Sequence, residues 1–382
     1  MNLEQLSFEN NTWKEVIKNE KYDPLKSQLV ICFGERTLFE KNDVALFLKN
    51  KYPNAQIIIN STSGEIYNNS VHDNSIVATA VQFEKTDVIA VSANISNYNN
   101  SYELGEWLFN NINKPDLQFI FVISDGGLVN GSELVKGMNS QNHNIPITGG
   151  LAGDAARFEK TVVGLNKNPI QGDVVAIGIY GSNLLVSHGS MGGWDIFGRE
   201  RVITKSINNV LYEIDGKNAL DLYKEYLGEY VNELPGAALL FPLSIKINQN
   251  SEPLVRTILS IDEKNKTMTF AGDIPEGSNA RLMKANFDRI IEASSQAANT
   301  CFSPLKSQIV NNNSLAILIS CVGRKLVLAD RIDEEVESAS EMFNPKTVVT
   351  GFYSYGEISP FVANSSCELH NQTMTITILS EL

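Results

Sequence analysis

Three stretches of this 382-residue chain combine flexible residues with groups able to hold a small molecule. Ser124-Asp125-Gly126-Gly127 and Thr148-Gly149-Gly150-Leu151-Ala152-Gly153-Asp154 each follow an apolar run. Glycines at such places let backbone amides approach a ligand closely, and Asp154 offers an acceptor to a ligand amine. The same glycines suit a turn with positive φ or a tight crossing of two strands, so both readings stay open. Gly351 to Pro360 adds the rings and hydroxyls of Tyr353 and Tyr355 and the carboxylate of Glu357. That set suits a small cationic or zwitterionic metabolite, or equally a plain domain interface.

A fourth stretch, Cys321-Val322-Gly323-Arg324, follows an apolar strand-like run. A guanidinium close to a thiol lowers its pKa, which makes Cys321 a candidate nucleophile and Arg324 a fork for a carboxylate. The plain alternative is a small buried hydrophobe beside a structural ion pair. Recognised catalytic signatures do not support an enzyme. The phosphate loop GxxxxGK[ST], the zinc motif HExxH and the GxSxG elbow do not occur. Ser303-Pro304-Leu305-Lys306 matches SxxK, but its partner motifs SDN and KTG are missing. None of the four histidines (His72, His143, His188, His370) sits in a supporting motif. The four cysteines lie far apart with no CxxC pair, which argues against structural zinc and fits a reducing compartment.

The elements that must carry these residues follow from periodicity. Short apolar runs at Leu29 to Phe33, Gln56 to Asn60, Ile76 to Phe83, Val88 to Ile95 and Gln118 to Ile123 read as strands. Helical spacing appears at Lys41 to Lys51 and Tyr102 to Asn111, and Ser132 is a candidate N-cap for a helix through Met138. Strands continue at Thr161 to Leu165, Asp173 to Tyr180 and Leu184 to Val186. After residue 205 comes a fresh strand and helix (Val210 to Ile214, Ala219 to Leu227), then a hairpin, a helix at Phe287 to Ala298, and strands at Leu315 to Cys321, Val348 to Tyr353 and Met374 to Leu379. No internal repeat stands out. The expectation is a mixed α/β protein of two packed domains, 1–205 and 206–382, whose mixed sheets are covered by helices.

A net charge of −13 argues against nucleic acid or anionic membrane as a default partner. The amino terminus has no basic stretch leading into an apolar run, and no apolar run is long enough to span a bilayer. A cytoplasmic protein is expected.

Five motifs in register, Ser61 to Ile66, Thr148 to Asp154, Ser320 to Arg324, Gly351 to Pro360 and Cys367 to Met374, resemble the FIST family (F-box and intracellular signal transduction). The resemblance runs from about residue 25 to the end, covers both the N-terminal and C-terminal FIST domains, and looks like the stand-alone bacterial type. It implies a non-enzymatic sensory protein that binds a small ligand such as an amino acid and acts on a separate signalling partner. On that reading Gly149, Gly150 and Asp154 face Cys321, Arg324, Tyr353, Tyr355 and Glu357 across the domain junction. Some stand-alone members are haem-bearing nitric-oxide sensors that regulate a histidine kinase. That alternative would need a non-covalent haem b with His188 as the axial ligand.

Overall fold

The computed structural model describes residues 1–142, 144–234, 236–248, 252–309, 311–362 and 365–382. Its body is three six-stranded mixed sheets built to one plan. In each, four strands follow one another along the sheet in the same arrangement: one parallel pair, then two antiparallel neighbours. The first sheet uses Asn2–Glu9, Leu29–Gly34, Gln56–Ser61 and Ile76–Gln82. The second uses Asp87–Asn94, Leu117–Ser124, Ile147–Leu151 and Asp173–Tyr180. The third uses Leu184–Met191, Ser314–Cys321, Thr347–Ser354 and Met374–Glu381. A helical crossover joins each parallel pair, as parallel pairing requires.

The three units also exchange strands cyclically. Glu65–Tyr67 leaves the first unit to pair with Thr347–Ser354 of the third. Gly356–Pro360 leaves the third to pair with Ile147–Leu151 of the second. Val163–Leu165 leaves the second to pair with Gln56–Ser61 of the first. Pairings therefore cross the 205/206 boundary in both directions. The repeat escapes a reading of residue identities, because almost no side chains recur. One short echo does: Thr62-Ser63-Gly64-Glu65-Ile66 and Ser354-Tyr355-Gly356-Glu357-Ile358 occupy equivalent strand ends.

Alternation along the strands sorts the side chains between two layers. Leu29, Ile31, Phe33, Phe119, Phe121, Ile123, Leu315, Ile317 and Ile319 meet in one central core shared by all three sheets. The residues between them face the helices. Ile120 and Val122 pack with Leu104, Leu108 and Leu134, and Ala316 and Leu318 pack with Ala297, Ala298 and Val336. A fourth sheet, from Asp195–Ile207 to Asn279–Lys284, stands apart around its own core of Leu211, Leu220, Tyr223, Met268 and Phe270. It is inserted within the third unit, between Leu184–Met191 and Phe287–Phe302.

The mixed α/β expectation holds, with three local corrections. The helix expected to start at Ser132 is Gly131–Gln141, capped by Asn130, whose side chain accepts from the Glu133 amide. The strand expected at Val348 to Tyr353 runs from Thr347 to Ser354, and after Tyr355 alone a second strand, Gly356–Pro360, takes up the rest of the stretch that ends at Pro360. Asn2–Glu9 and Thr12–Lys18, an antiparallel hairpin, went unread because their polar residues obscure the alternation.

Candidate functional site

Where the inserted sheet meets the ends of the body strands, a cavity of about 460 Å³ opens. The body contributes Gly126 to Gly131 after Leu117–Ser124, together with Leu151, Cys321 to Gly323, Tyr355 and Asn371. The insert contributes Asn209, Leu239, Thr257, Leu259 and Phe270 to Asp273. Asp125 shapes the glycine loop: its Oδ1 accepts from the Gly127 amide at 2.8 Å and the Leu128 amide at 2.6 Å. Tyr355 forms part of the wall. Its ring stacks on Phe158 with 4.7 Å between centroids, and its hydroxyl accepts from the Phe158 amide at 3.1 Å.

Two polar groups in this cavity lack partners. Asn371 is fully buried, yet neither Oδ1 nor Nδ2 of its side chain has a hydrogen bond, and the Thr257 hydroxyl is likewise buried and unpaired. Buried polar atoms in native proteins are almost always satisfied, so two such groups in the wall of one cavity call for a ligand or water. Asn371 sits in the turn between Cys367–His370 and Met374–Glu381. The next residue, Gln372, has φ +61 and offers its carbonyl to Trp194 Nε1 at 2.9 Å, at the start of the insert.

The residues singled out from the sequence are scattered by the fold. Cys321 and Tyr355 line the cavity. Gly149 and Gly150 lie within a strand: a β-carbon on Gly149 would strike the Val122 carbonyl, and one on Gly150 would meet Ile319 and Phe352. Asp154 is buried away from the cavity, where its Oδ1 accepts from Arg36 Nε at 2.8 Å and Arg157 Nε at 2.9 Å. Burial alone would raise its pKa, but these guanidinium bonds hold it below the usual range.

Arg324 and Tyr353 lie behind the wall. Arg324 is fully buried and bonds Glu335, the carbonyls of Gly192, Gln372 and Ile290, and Ser294 Oγ. The Tyr353 hydroxyl donates to Glu335 Oε1 at 2.8 Å. A lowered thiol pKa at Cys321 is overturned. Burial pushes the thiol well up, the Glu357 carboxylate adds to this, and Arg324 offsets little of it because Glu335 already neutralises the guanidinium. That removes the activated nucleophile an enzyme reading would need.

His188 lies mid-strand opposite Thr377 and does not line the cavity, and burial lowers its pKa. The cavity wall carries no histidine or methionine among the described residues. His143 lies outside the described residues. Among the described residues no cluster of three or more His, Cys, Asp or Glu is placed to hold a metal ion, and no helix is long and apolar enough to cross a membrane.

A model of the FIST N domain matches residues 28–217, and one of the FIST C domain matches residues 219–360. The chain belongs to the FIST family. FIST domains are sensory domains of signal transduction, and as a family they are non-enzymatic. This FIST protein is 28% identical over 244 residues to an uncharacterized protein of Methanocaldococcus jannaschii, an overlap of 58% of this chain and 43% of the relative. The chain thus matches under half the length of that protein. Among solved structures it overlaps a cyanuric acid hydrolase from A. caulinodans with a TM-score of 0.40 and 5% identity, over 94% of this chain and 91% of the other. So loose an overlap assigns no hydrolase activity to the FIST chain.

Glu357, next to the cavity wall, gives the FIST body a pH response. It accepts from Ser354 Oγ at 2.7 Å and from Thr373 N and Oγ1 at 3.2 and 3.0 Å, yet burial pushes its pKa up to about 8. Its counterpart Glu65 rises to about 7, again chiefly through burial. Both folded values lie above the ordinary 4.5, so these two carboxyls hold protons in the folded protein that they lose in the unfolded chain, between 4.5 and about 7 for Glu65 and about 8 for Glu357. The stability these two groups contribute therefore falls as pH rises through those windows. Glu357→Gln keeps a neutral group whose carbonyl takes the Thr373 donors and whose amide donates to Ser354. The variant is expected to match wild type at pH 5 and to be more stable at pH 9, by about 2–4 kcal/mol. Denaturant melts at the two pH values check this; an equal difference at both would contradict it.

Proposed function

We propose that this protein is a small-molecule sensor whose ligand, a small metabolite such as an amino acid, occupies the cavity between the three-sheet body and the inserted sheet. The observation that carries the reading is the unpartnered Asn371 amide buried in the wall of that space, with the Thr257 hydroxyl buried and unpartnered in the part of the wall that the insert contributes. Cys321 and Tyr355 then serve as wall, with Leu151, Val322 and Phe270 offering apolar surface to the rest of the ligand.

The position of the cavity provides a route from binding to signal. Body and insert are tied by Arg256 Nη1 to the Leu369 carbonyl at 3.0 Å and by Lys136 Nζ to Asp273 at 3.0 Å. The Asn371–Gln372 turn is bonded to Trp194, where the chain enters the insert. A ligand that engages both sides binds one arrangement of the two parts better than others and shifts their populations by that difference in affinity. A separate signalling protein, a histidine kinase among the candidates, would read the arrangement.

Thermal-shift screening of amino acids and other small metabolites tests the reading. A true ligand raises stability by about 2.7 kcal/mol at a hundred times its Kd. Leu128 and Leu259 line the cavity but are 57% and 48% exposed, so tryptophan at either fills space without disturbing a core. Leu128→Trp or Leu259→Trp is expected to abolish the shift. A panel with no stabilising compound, or a hit indifferent to both variants, would sink the reading.

A further inference from the structure

The state of the Asn371 side chain narrows the ligand class, an argument that rests on the cavity being the ligand site. Its amide presents one acceptor, Oδ1, beside two donors on Nδ2, all buried and all without partners. Any group that satisfies only one side leaves the other orphaned. A carboxylate accepts from Nδ2 but repels Oδ1, and an ammonium donates to Oδ1 but gives Nδ2 nothing. A group with an N–H beside a C=O satisfies both through two antiparallel hydrogen bonds.

The charges around the cavity are already engaged, which also disfavours an ionic ligand end. Lys160 Nζ lies 3.0 Å from Glu40, and Lys136 Nζ lies 2.7 Å from Glu133 and 3.0 Å from Asp273. Arg256 spends Nε on the Asp273 carbonyl and Nη1 on those of Val255 and Leu369. Glu357, close to Cys321, is pushed by burial toward its neutral form. Glu159 sits at the rim with its side chain 70% exposed. An ion pressed onto Asn371 would be desolvated, and the cations named here already hold partners.

We infer that Asn371 is the recognition residue of the cavity and takes a neutral carboxamide or lactam group, with the Thr257 hydroxyl as a further contact. A residue of this kind discriminates steeply, because the wrong partner leaves buried polar atoms unpaired.

Isosteric pairs test the inference: L-glutamine against L-glutamate, L-asparagine against L-aspartate, and propionamide and 2-pyrrolidinone against propionate. Binding is read by ligand-observed NMR and by thermal shift. At least one amide is expected to bind about tenfold or more tighter than its acid. Asn371→Leu should weaken that amide by about 10- to 100-fold, and Thr257→Val by less. Equal affinity for acid and amide, or full affinity retained in Asn371→Leu, overturns the inference and leaves the cavity reading intact. So does a panel in which no amide binds while another metabolite binds and is lost in Leu128→Trp. If nothing at all binds, both fall. Should Asn371→Leu fail to fold by circular dichroism, the amide-over-acid ratio in wild type and the Thr257→Val effect decide the matter.

Discussion

Arg324→Met is expected to destabilise the protein by about 3–5 kcal/mol, the range for breaking a buried ion pair from one side. Arg324 and Glu335 are both fully buried and meet at 2.6 Å between Nη2 and Oε2. The guanidinium also joins four other places in the chain: the Gly192 carbonyl, Gln372 in the turn beside Asn371, and Ile290 and Ser294 on the helix Phe287–Phe302. Its loss strands the Glu335 carboxylate, which Ser320 Oγ and the Tyr353 hydroxyl, each at 2.8 Å, cannot neutralise. Adding Glu335→Gln to Arg324→Met removes the stranded charge and should recover a sizeable part of the loss, a coupling that a double-mutant cycle measures. The measurement also separates two roles. An arginine that held a ligand would cost affinity at constant stability when replaced. A fully buried clamp costs stability first, and chemical denaturation of the single and double variants distinguishes the two.

Gly149→Ala should be nearly as damaging. Gly149 pairs with Val122 across a parallel pair of strands, and a β-carbon there would strike the Val122 carbonyl oxygen and lie 2.7 Å from its carbon. The obstacle is backbone on a fully buried central strand, so no side-chain rotamer relieves it. Overpacking of a core costs about 1–3 kcal/mol when side chains can shift, and a rigid backbone obstacle puts this case at or above the upper end. Gly351 occupies the matching position in the third sheet, against the Leu318 carbonyl, and Gly351→Ala should behave alike. By contrast Gly216, on the surface with nothing near its β-position, is strained only through its φ of +71, so Gly216→Ala should cost about 1 kcal/mol. Soluble expression and thermal melts of the three variants rank them. A benign Gly149→Ala would mean that the strands do not approach so closely.

These two sites also show where local reading of the chain stops. Glycines at 149 and 150 announce a close approach, but whether the approaching object is a ligand or a neighbouring strand depends on what lies across the sheet. The Cys321–Arg324 spacing announces a thiol near a cation. The sign of the thiol's pKa shift was decided instead by burial, and by Glu335, which neutralises the guanidinium from a helix further along the chain.

Strands such as Leu29–Gly34, Leu117–Ser124 and Ser314–Cys321 were legible because β-branched and aromatic runs bounded by polar residues are a local signal. The mixed α/β class followed from how those runs alternate with helical ones, and the family followed from motif order. The threefold plan of the body was not legible. Packing needs only apolar residues of suitable volume at alternate positions, so three units can share a topology with almost no residues in common. The site was legible only in part. Tyr355 and Cys321 stand out by type, whereas Asn371 and Thr257 are ordinary residues far apart in sequence. What distinguishes them is that the fold buries both against one cavity and supplies neither with a hydrogen-bond partner, and that property belongs to the tertiary structure alone.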